Sequence, residues 1–494
     1  MATGDATART RAAIDSGNLL LAYDTAISAL NNGDSAAELC HLMVLALARM
    51  GNGKQALELF YQYGLDASPD PHHRSIAARI LKDAALATSG EAERKSALLK
   101  AYQAYHQIFD DSGDAYPGIN AATMAFLAGL SNEAQAIAAT ILQIPAIQTP
   151  DNYYDLATKA EALLIAGQPE EAGTLLTDAG TMKDANAGAR ASSVRQLELV
   201  GFEAGLDRDA IDILLAPISP PMVIHYCGHM FLEDADAEAD LRSAIDDFLD
   251  QNDVGYAYGA LASGADILIA EAVLARGGEL NIVLPFMQDD FIAQSITPAG
   301  NGWLTRFEDC MEKAKSVNYA TETHYVGDPD QFSYASKVAM GMAKLRAQYL
   351  GKPAQQLAIW DGVASTGSAG TGADVAAWKT FGGDSHIIDA EHIDRNLAGS
   401  QKPNENLYKR TVAAIIFTDF PGFSKLSEAA LPAFWNGVMR NMAVVLENYP
   451  DQILAQNSWG DALLVVTPDA PCAASLALEL QSSLLNFDYS LLGL

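Results

Sequence analysis

Up to about residue 215 the apolar positions fall three and four apart, Ala and Leu dominate, and strand-like alternation is scarce, which predicts helices throughout. Two stretches repeat one design. From Leu42 to Leu59 an alanine-rich helix is interrupted at Met50-Gly51-Asn52-Gly53 and resumes at Gln55-Ala56-Leu57-Glu58. From Ala157 to Leu176 the interruption is Ala166-Gly167-Gln168-Pro169, followed by Glu170-Glu171-Ala172. A glycine ends the first helix, acidic residues favour the start of the next, and small side chains let two antiparallel helices approach closely. Between these stretches, Tyr116-Pro117-Gly118-Ile119-Asn120-Ala121-Ala122 precedes a further Ala-rich helix and reads as an irregular repeat.

After Pro217 and the pair Pro220-Pro221 the pattern changes to short apolar runs separated by helical stretches: Met222 to Cys227, Val254 to Tyr258, Leu280 to Pro285, Val317 to Thr321 and Leu357 to Trp360. Such alternation predicts a parallel sheet covered by helices on both faces, over residues 216–400. The polar stretch Asn396 to Glu405, with Pro403, marks its end. A third unit, 410–494, opens with the apolar strand Val412 to Thr418 and continues as a helical stretch to about Tyr449. A strand from Gln452 to Gln456, a second from Ala462 to Val466 and a helix from near Asp469 complete it.

A length of 494 residues fits about three such domains, and a hydrophobic share of 49% supplies several cores. Acidic residues outnumber basic ones 62 to 31, giving a formal charge of -31. That balance argues against nucleic acid and anionic membrane surfaces as partners. Cys40, Cys227, Cys310 and Cys472 form no CxxC pair, so neither a zinc site nor a disulfide framework is expected. The amino terminus lacks a basic segment followed by an apolar run, and no apolar stretch approaches the length of a membrane span. The expectation is a cytoplasmic protein.

Candidate chemistry concentrates at two places. In the middle domain, Tyr258-Gly259-Ala260-Leu261-Ala262-Ser263-Gly264-Ala265-Asp266 joins a strand to a helix that carries Glu271, and a new strand follows Gly277-Gly278. Trp360-Asp361-Gly362 and Ser365-Thr366-Gly367-Ser368-Ala369-Gly370-Thr371-Gly372 repeat the strand, glycine loop and helix order. Two such loops at the carboxyl ends of parallel strands converge on one crevice, with helix N-termini facing it. The candidate ligand contacts are Gly228, Gly259, Ser263, Gly264, Asp361, Gly362, Gly370, Thr371 and Gly372. A tight turn or close helix packing explains any single glycine equally well, and Asp361 has two readings, a ribose or base contact and a cap on the adjacent loop.

Both segments resemble the SLOG superfamily, Rossmann-like proteins that process or sense nucleotide-derived ligands. The resemblance implies a bound nucleotide-related small molecule. The family's Pro-Gly-Gly-x-Gly-Thr-x-x-Glu form is kept only in part, at Ala369-Gly370-Thr371, with Ala376 or Ala377 near the expected acidic position. Binding is therefore expected ahead of hydrolysis.

The second place is the third unit, where Phe417-Thr418-Asp419-Phe420-Pro421-Gly422-Phe423-Ser424 ends one strand and Asn457-Ser458-Trp459-Gly460-Asp461 precedes another. Two facing carboxylates repel unless a proton or cation lies between them, and hard oxygen ligands favour magnesium or manganese. This pair of motifs is similar to the metal-binding half of class III adenylate and guanylate cyclases. The resemblance implies a partial α+β, ferredoxin-like domain. In it Asp419, Asp461 and the Phe420 carbonyl hold two Mg2+ or Mn2+ ions, and Gly422, Phe423, Ser424, Asn457 and Gly460 line the ATP or GTP site. Asn457 stands where the family often carries a base-selecting Lys or Glu, so the base is undecided. The family's transition-state Asn and Arg fall beyond Leu494, so the expectation is a truncated cyclase half, inactive alone.

The helical pairs resemble tetratricopeptide-type repeats, with an undifferentiated helical bundle as the alternative. The leading expectation is a signalling nucleotidyl cyclase that makes a 3′,5′-cyclic nucleotide and pyrophosphate. It would be homodimeric through its cyclase and repeat domains, bind a protein partner through the repeats and be regulated at the SLOG-like domain. The alternatives are a non-catalytic nucleotide-sensing and interaction scaffold, and a nucleotide hydrolase built on the middle domain.

Overall fold

The computed structural model describes residues 3–365, 367–391, 393, 412–420, 422–485 and 487–492. The expected linker Asn396 to Glu405, the start of the third unit at 410 and Pro421 lie outside the described residues.

The first part is helical throughout: α1 (Thr3–Asp15), α2 (Leu19–Asn31), α3 (Ala37–Arg49), α4 (Gly53–Gln62), α5 (Pro71–Ala87), α6 (Glu91–Ser112) and α7 (Ala115–Leu127). It continues with α8 (Ser131–Ile141), the short α9 (Pro145–Gln148), α10 (Tyr153–Ile165), α11 (Pro169–Gly180), α12 (Ala187–Glu203) and α13 (Arg208–Leu215). The glycine break seen twice in the sequence recurs at Gly17, Gly51, Gly129, Gly167 and Gly205, with φ of 81°, 87°, 81°, 81° and 84°. At each, the next residue's N–H reaches back five positions, as from Asn52 to Leu47 (3.0 Å) and from Leu130 to Ala125 (2.9 Å). This left-handed cap satisfies the last carbonyls of one helix and turns the chain into the next. Close packing follows from side-chain size. Ala121, Ala122, Ala125, Ala134, Ala138, Ala160 and Ala172 are all fully buried in one shared core.

The segment Tyr116 to Ala122, read as an irregular repeat ahead of an Ala-rich helix, is itself helical. It lies inside α7, with the Asp114 carboxylate accepting the Tyr116 N–H (2.8 Å) and Pro117 in the first turn, where its missing N–H costs nothing.

The middle part is a six-stranded parallel sheet of order β4-β3-β2-β1-β5-β6: β1 (Met222–Gly228), β2 (Val254–Gly259), β3 (Glu279–Leu284), β4 (Ser316–Tyr319), β5 (Gln355–Trp360) and β6 (Ser385–Asp389). Helices cover both faces. Helix α14 (Ala235–Asn252), α15 (Ala265–Ala275) and α17 (Gly302–Lys313) pack on one side with Trp303 and Phe307 fully buried. Helices α18 (Asp330–Leu350) and α19 (Thr371–Thr380) cover the other, and α16 (Gln288–Ser295) closes the end above β3. Strand β6 has no counterpart among the sequence expectations, because on this edge strand only Ile388 of Ser385-His386-Ile387-Ile388-Asp389 is buried.

The third part is a three-stranded antiparallel sheet of order β7-β9-β8: β7 (Ala414–Thr418), β8 (Ala455–Trp459) and β9 (Ala462–Thr467). Strand β8 starts later than expected, so Asn457 lies within it. The turn is reduced to Gly460-Asp461, between the paired Trp459 and Ala462. The expected helix to Tyr449 is also divided. It consists of a 3-10 turn (Phe423–Lys425), α20 (Leu431–Phe434), a π turn (Trp435–Met439) and α21 (Arg440–Leu446). With α22 (Ala470–Leu484) these cover one face, burying Phe434, Val438, Val465 and Leu476. The other face leaves Ile415, Phe417 and Trp459 exposed.

The helical part docks on α18. Tyr349 near its end donates its hydroxyl to the Ile14 carbonyl (2.9 Å) and accepts from Arg49 (3.2 Å). Ala191 of α12 shares a core with Val223, Tyr256 and Tyr349. Among the described residues no helix is long and apolar enough to cross a membrane.

Candidate functional site

Strand order reverses direction between β1 and β5, and a crevice at such a point is where parallel α/β sheets hold ligands. A cavity of about 730 Å3 opens there. Its walls come from the end of β1 (His225 to Met230), the loops after β2 and β3 (Ala260, Ala262, Asp266, Pro285), the segment Phe291 to Pro298, and Ala369 to Asp374 after β5. Tyr325, Phe332 and Ala335, before and on α18, close the outer side.

Two carboxyl groups dominate its chemistry. Asp266 is buried at the start of α15; its Oδ2 accepts the Ala262 N–H (3.2 Å), while its Oδ1 has no hydrogen-bond partner of ordinary geometry. Burial pushes its carboxyl up to about 7 against the pull of the Ala262 and Gly228 backbones, and the neighbouring Asp374 adds to the rise. Asp374, in the first turn of α19, is also pushed up to about 7 by burial, with the Ser336 side chain and Lys337 pulling the other way. The thiol of Cys227 on β1 is driven well above its usual range by burial and by both carboxyls. His225 is pushed down to about 3 by burial, and its ring stacks on Trp378.

His229, just past β1, links the two sides. Its Nε2 lies 3.0 Å from the Asp361 carboxylate and its Nδ1 3.3 Å from the Thr371 hydroxyl. The Asp361 N–H also approaches Nε2 (3.4 Å), so both ring nitrogens are engaged by the protein.

The residues singled out in the sequence divide into two groups. Gly228, Gly370 and Thr371 line the cavity, and Asp361 reaches it through His229. Gly259, Gly264 and Gly372 instead sit where a side chain would strike the protein itself. A Cβ at Gly264 would lie 2.6 Å from Phe231 and 2.9 Å from the His229 carbonyl, and one at Gly259 2.7 Å from the Tyr226 ring. A Cβ at Gly372 would lie 2.9 Å from the Ser365 nitrogen, and Gly362 stands in an open turn. Ser263 is buried, with no partner for its hydroxyl. Glu271 faces away from the cavity, held by Arg306 and Arg242.

Sequence reasoning missed Asp266 and Asp374 as site residues. The signal for the second was present: three positions after Thr371, where the family motif carries its acid, stands Asp374 and not Ala376 or Ala377.

In the third part, the tight β8–β9 turn brings Asp461 to the end of β7, where its Oδ2 accepts the Phe420 N–H (3.3 Å) next to Asp419. The Thr418 hydroxyl accepts the Leu463 N–H (3.2 Å), locking the two strand ends together. The Phe420 carbonyl accepts the Phe423 N–H (3.2 Å), and the Asn457 side chain accepts from the adjacent Ser458 N–H (2.9 Å). Gly460 approaches Phe423, whose ring packs on Phe434 with that of Phe420; Gly422 and Ser424 flank Phe423 in the same tight turn. Among the described residues no cluster of three or more His, Cys, Asp or Glu is found, so any cation here would rest on two carboxylates and backbone or solvent oxygens. That donor set suits a hard divalent ion.

The family model described as Tetratricopeptide Repeats-Sensor matches residues 20–125. Among solved structures, a thermophilic TPR protein of Thermus thermophilus is 16% identical, with a TM-score of 0.32, over 40% of this chain and 100% of its own. A tetratricopeptide repeat protein from Parabacteroides merdae is 13% identical, with a TM-score of 0.18, over 44% of this chain and 98% of its own. No curated protein matches the chain. The helical part of this chain is built of tetratricopeptide-like repeats.

Proposed function

We propose that the protein is an interaction scaffold that senses a small molecule. Its repeats bind a protein partner, and the α/β domain takes a nucleotide-related ligand in the crevice. The observation that carries this reading is the position of the cavity, at the strand-order reversal and walled by two strand-to-helix loops. Helix α18 supports coupling. Its first half contributes Phe332, Ala335 and Ser336 to the cavity, while Tyr349 near its far end is hydrogen-bonded to α1 and α3 of the repeats. A ligand that shifts α18 would therefore alter the surface on which the repeats rest. Thermal denaturation of the intact chain with a panel of nucleosides and nucleotides tests the reading. Binding at 100 times Kd is expected to add about 2.7 kcal/mol of stability. Ala335→Leu, which narrows the cavity, is expected to abolish the gain, and a gain unchanged by that variant would contradict the reading.

A second reading is favoured by the meeting of Asp461 with the β7 end at Asp419. There the third part acts as a nucleotidyl cyclase half that uses Mg2+ or Mn2+ with ATP or GTP, and the exposed Phe417 and Trp459 face receives a second copy. The ions would lower the barrier by activating the attacking hydroxyl and neutralising the phosphates. Mass spectrometry of the chain with Mn2+ and each triphosphate, seeking cyclic nucleotide lost in Asp419→Ala, tests this reading.

A further inference from the structure

We infer that the crevice takes an uncharged nucleoside, base end against the Asp266 and Asp374 carboxyl groups, and excludes nucleotide phosphates; this rests on reading the crevice as a nucleotide-related ligand site.

The walls contain no Lys or Arg among the described residues. A phosphate would find two histidines instead, and both rings are already hydrogen-bonded within the protein. His225 is kept neutral by burial and hydrogen-bonded to the Gln356 side-chain amide (3.1 Å), while His229 is held between Asp361 and Thr371. Arg242 and Arg306 are spent on Glu238 and Glu271, and Lys337, the cation that acts on Asp374, is not among the lining residues.

The loop after β2, which in sequence looks like a phosphate cradle, has its donors occupied by the protein. The Ala262 N–H goes to Asp266 (3.2 Å), the Ser263 N–H to the Ser295 carbonyl (2.9 Å) and the Ala265 N–H to the His229 carbonyl (3.1 Å). Gly264 packs against Phe231 and the His229 carbonyl, 2.6 and 2.9 Å from the position of a Cβ, and does not line the cavity. The N-terminus of α19 carries the Asp374 carboxyl in its own first turn, which occupies the helix end that a phosphate would use.

What the cavity lacks in cations it offers in base-binding groups. Asp266 and Asp374 both line the cavity, and a carboxyl that keeps its proton is both donor and acceptor, the pattern that an amino-purine or amino-pyrimidine edge complements. Tyr226, Phe291, Tyr325, Phe332 and Pro285 supply flat apolar walls.

Isothermal titration of the intact chain with adenosine, guanosine, cytidine and uridine, and with the 5′-mono-, di- and triphosphate of each, tests the inference. The best nucleoside is expected to bind at least tenfold tighter than its monophosphate, with further loss for each added phosphate. Asp374→Asn is expected to narrow that gap and Asp266→Asn to weaken the nucleoside at least tenfold, with circular dichroism confirming that both variants fold. A monophosphate or triphosphate that binds tighter than its nucleoside, or nucleoside affinity indifferent to both variants, would overturn the inference while leaving the site reading intact. No binding by any member of the panel would instead sink the site reading itself.

Discussion

The molecule presents two pairs of aspartates, one at helix starts and one at the edge of a hairpin, and their surroundings set them on different courses. Asp266 and Asp374 are carried into a buried crevice on two parallel strand-to-helix junctions, and there burial makes the carboxyls hold protons near neutrality. Asp419 is exposed and Asp461 half-buried, side by side on an antiparallel hairpin edge. Two carboxyl groups side by side there offer the hard oxygen ligands that a divalent ion prefers. The same residue type becomes a buried hydrogen-bonding surface at the helix starts and an exposed edge on the hairpin. Burial decides between them.

The largest effect expected from breaking this contrast is on the exposed pair. If the third part turns over triphosphate, Asp419→Ala or Asp461→Ala should lower cyclic nucleotide formation with Mn2+ by at least about 100-fold, the scale of losing a group that stabilises transition-state charge. Neither change should alter nucleoside binding in the crevice, as measured by calorimetry.

On the buried pair the effect is on stability, and its sign can be worked out. In the folded chain each carboxyl keeps its proton up to about pH 7, but in the unfolded chain only to about pH 4. Between those values the folded state binds more protons, so stability falls as pH rises and the full cost is present above about pH 7. Replacing Asp374 or Asp266 by Asn should therefore stabilise the chain at pH 8 by up to about 4 kcal/mol, a shift of about three pKa units, and by little at pH 5. Urea unfolding at the two pH values checks this.

Two glycine turns give a smaller contrast. Gly264 has φ of 88° and Phe231 stands 2.6 Å from its would-be Cβ, whereas Gly460 has φ of 60° and only the Phe423 ring, 3.7 Å away. Gly264→Ala should cost roughly 2–4 kcal/mol through overpacking and strain, and Gly460→Ala about 1 kcal/mol through strain alone. Chemical denaturation of both variants would measure the difference.

What the sequence made legible follows the same line. Local signals were read well: the glycine breaks of the helical pairs, five strand positions of the sheet and the two glycine loops all depend on near neighbours in the chain. Edge strand β6 escaped because it buries a single apolar residue. Asp266 escaped as a site residue because the carboxyl that raises it, Asp374, comes from a junction more than a hundred residues away, and Asp374, despite its local signal after Thr371, meets Ser336 and Lys337 of α18 only in the fold. Which glycines pack and which line a cavity was likewise not local: Gly264 is fixed by Phe231, more than thirty residues before it in the chain and brought close only by folding around β1.

Hydrogen exchange on the intact chain, with and without a saturating nucleoside or nucleotide from the panel, tests the central claim most directly. The account predicts slowed exchange in residues 225–230, 260–266 and 369–374 and along α18 as far as Tyr349, where the repeats are docked. Slowed exchange confined to residues 418–424 and 455–463, with the crevice and α18 unchanged, would contradict it and assign ligand binding to the exposed pair of aspartates.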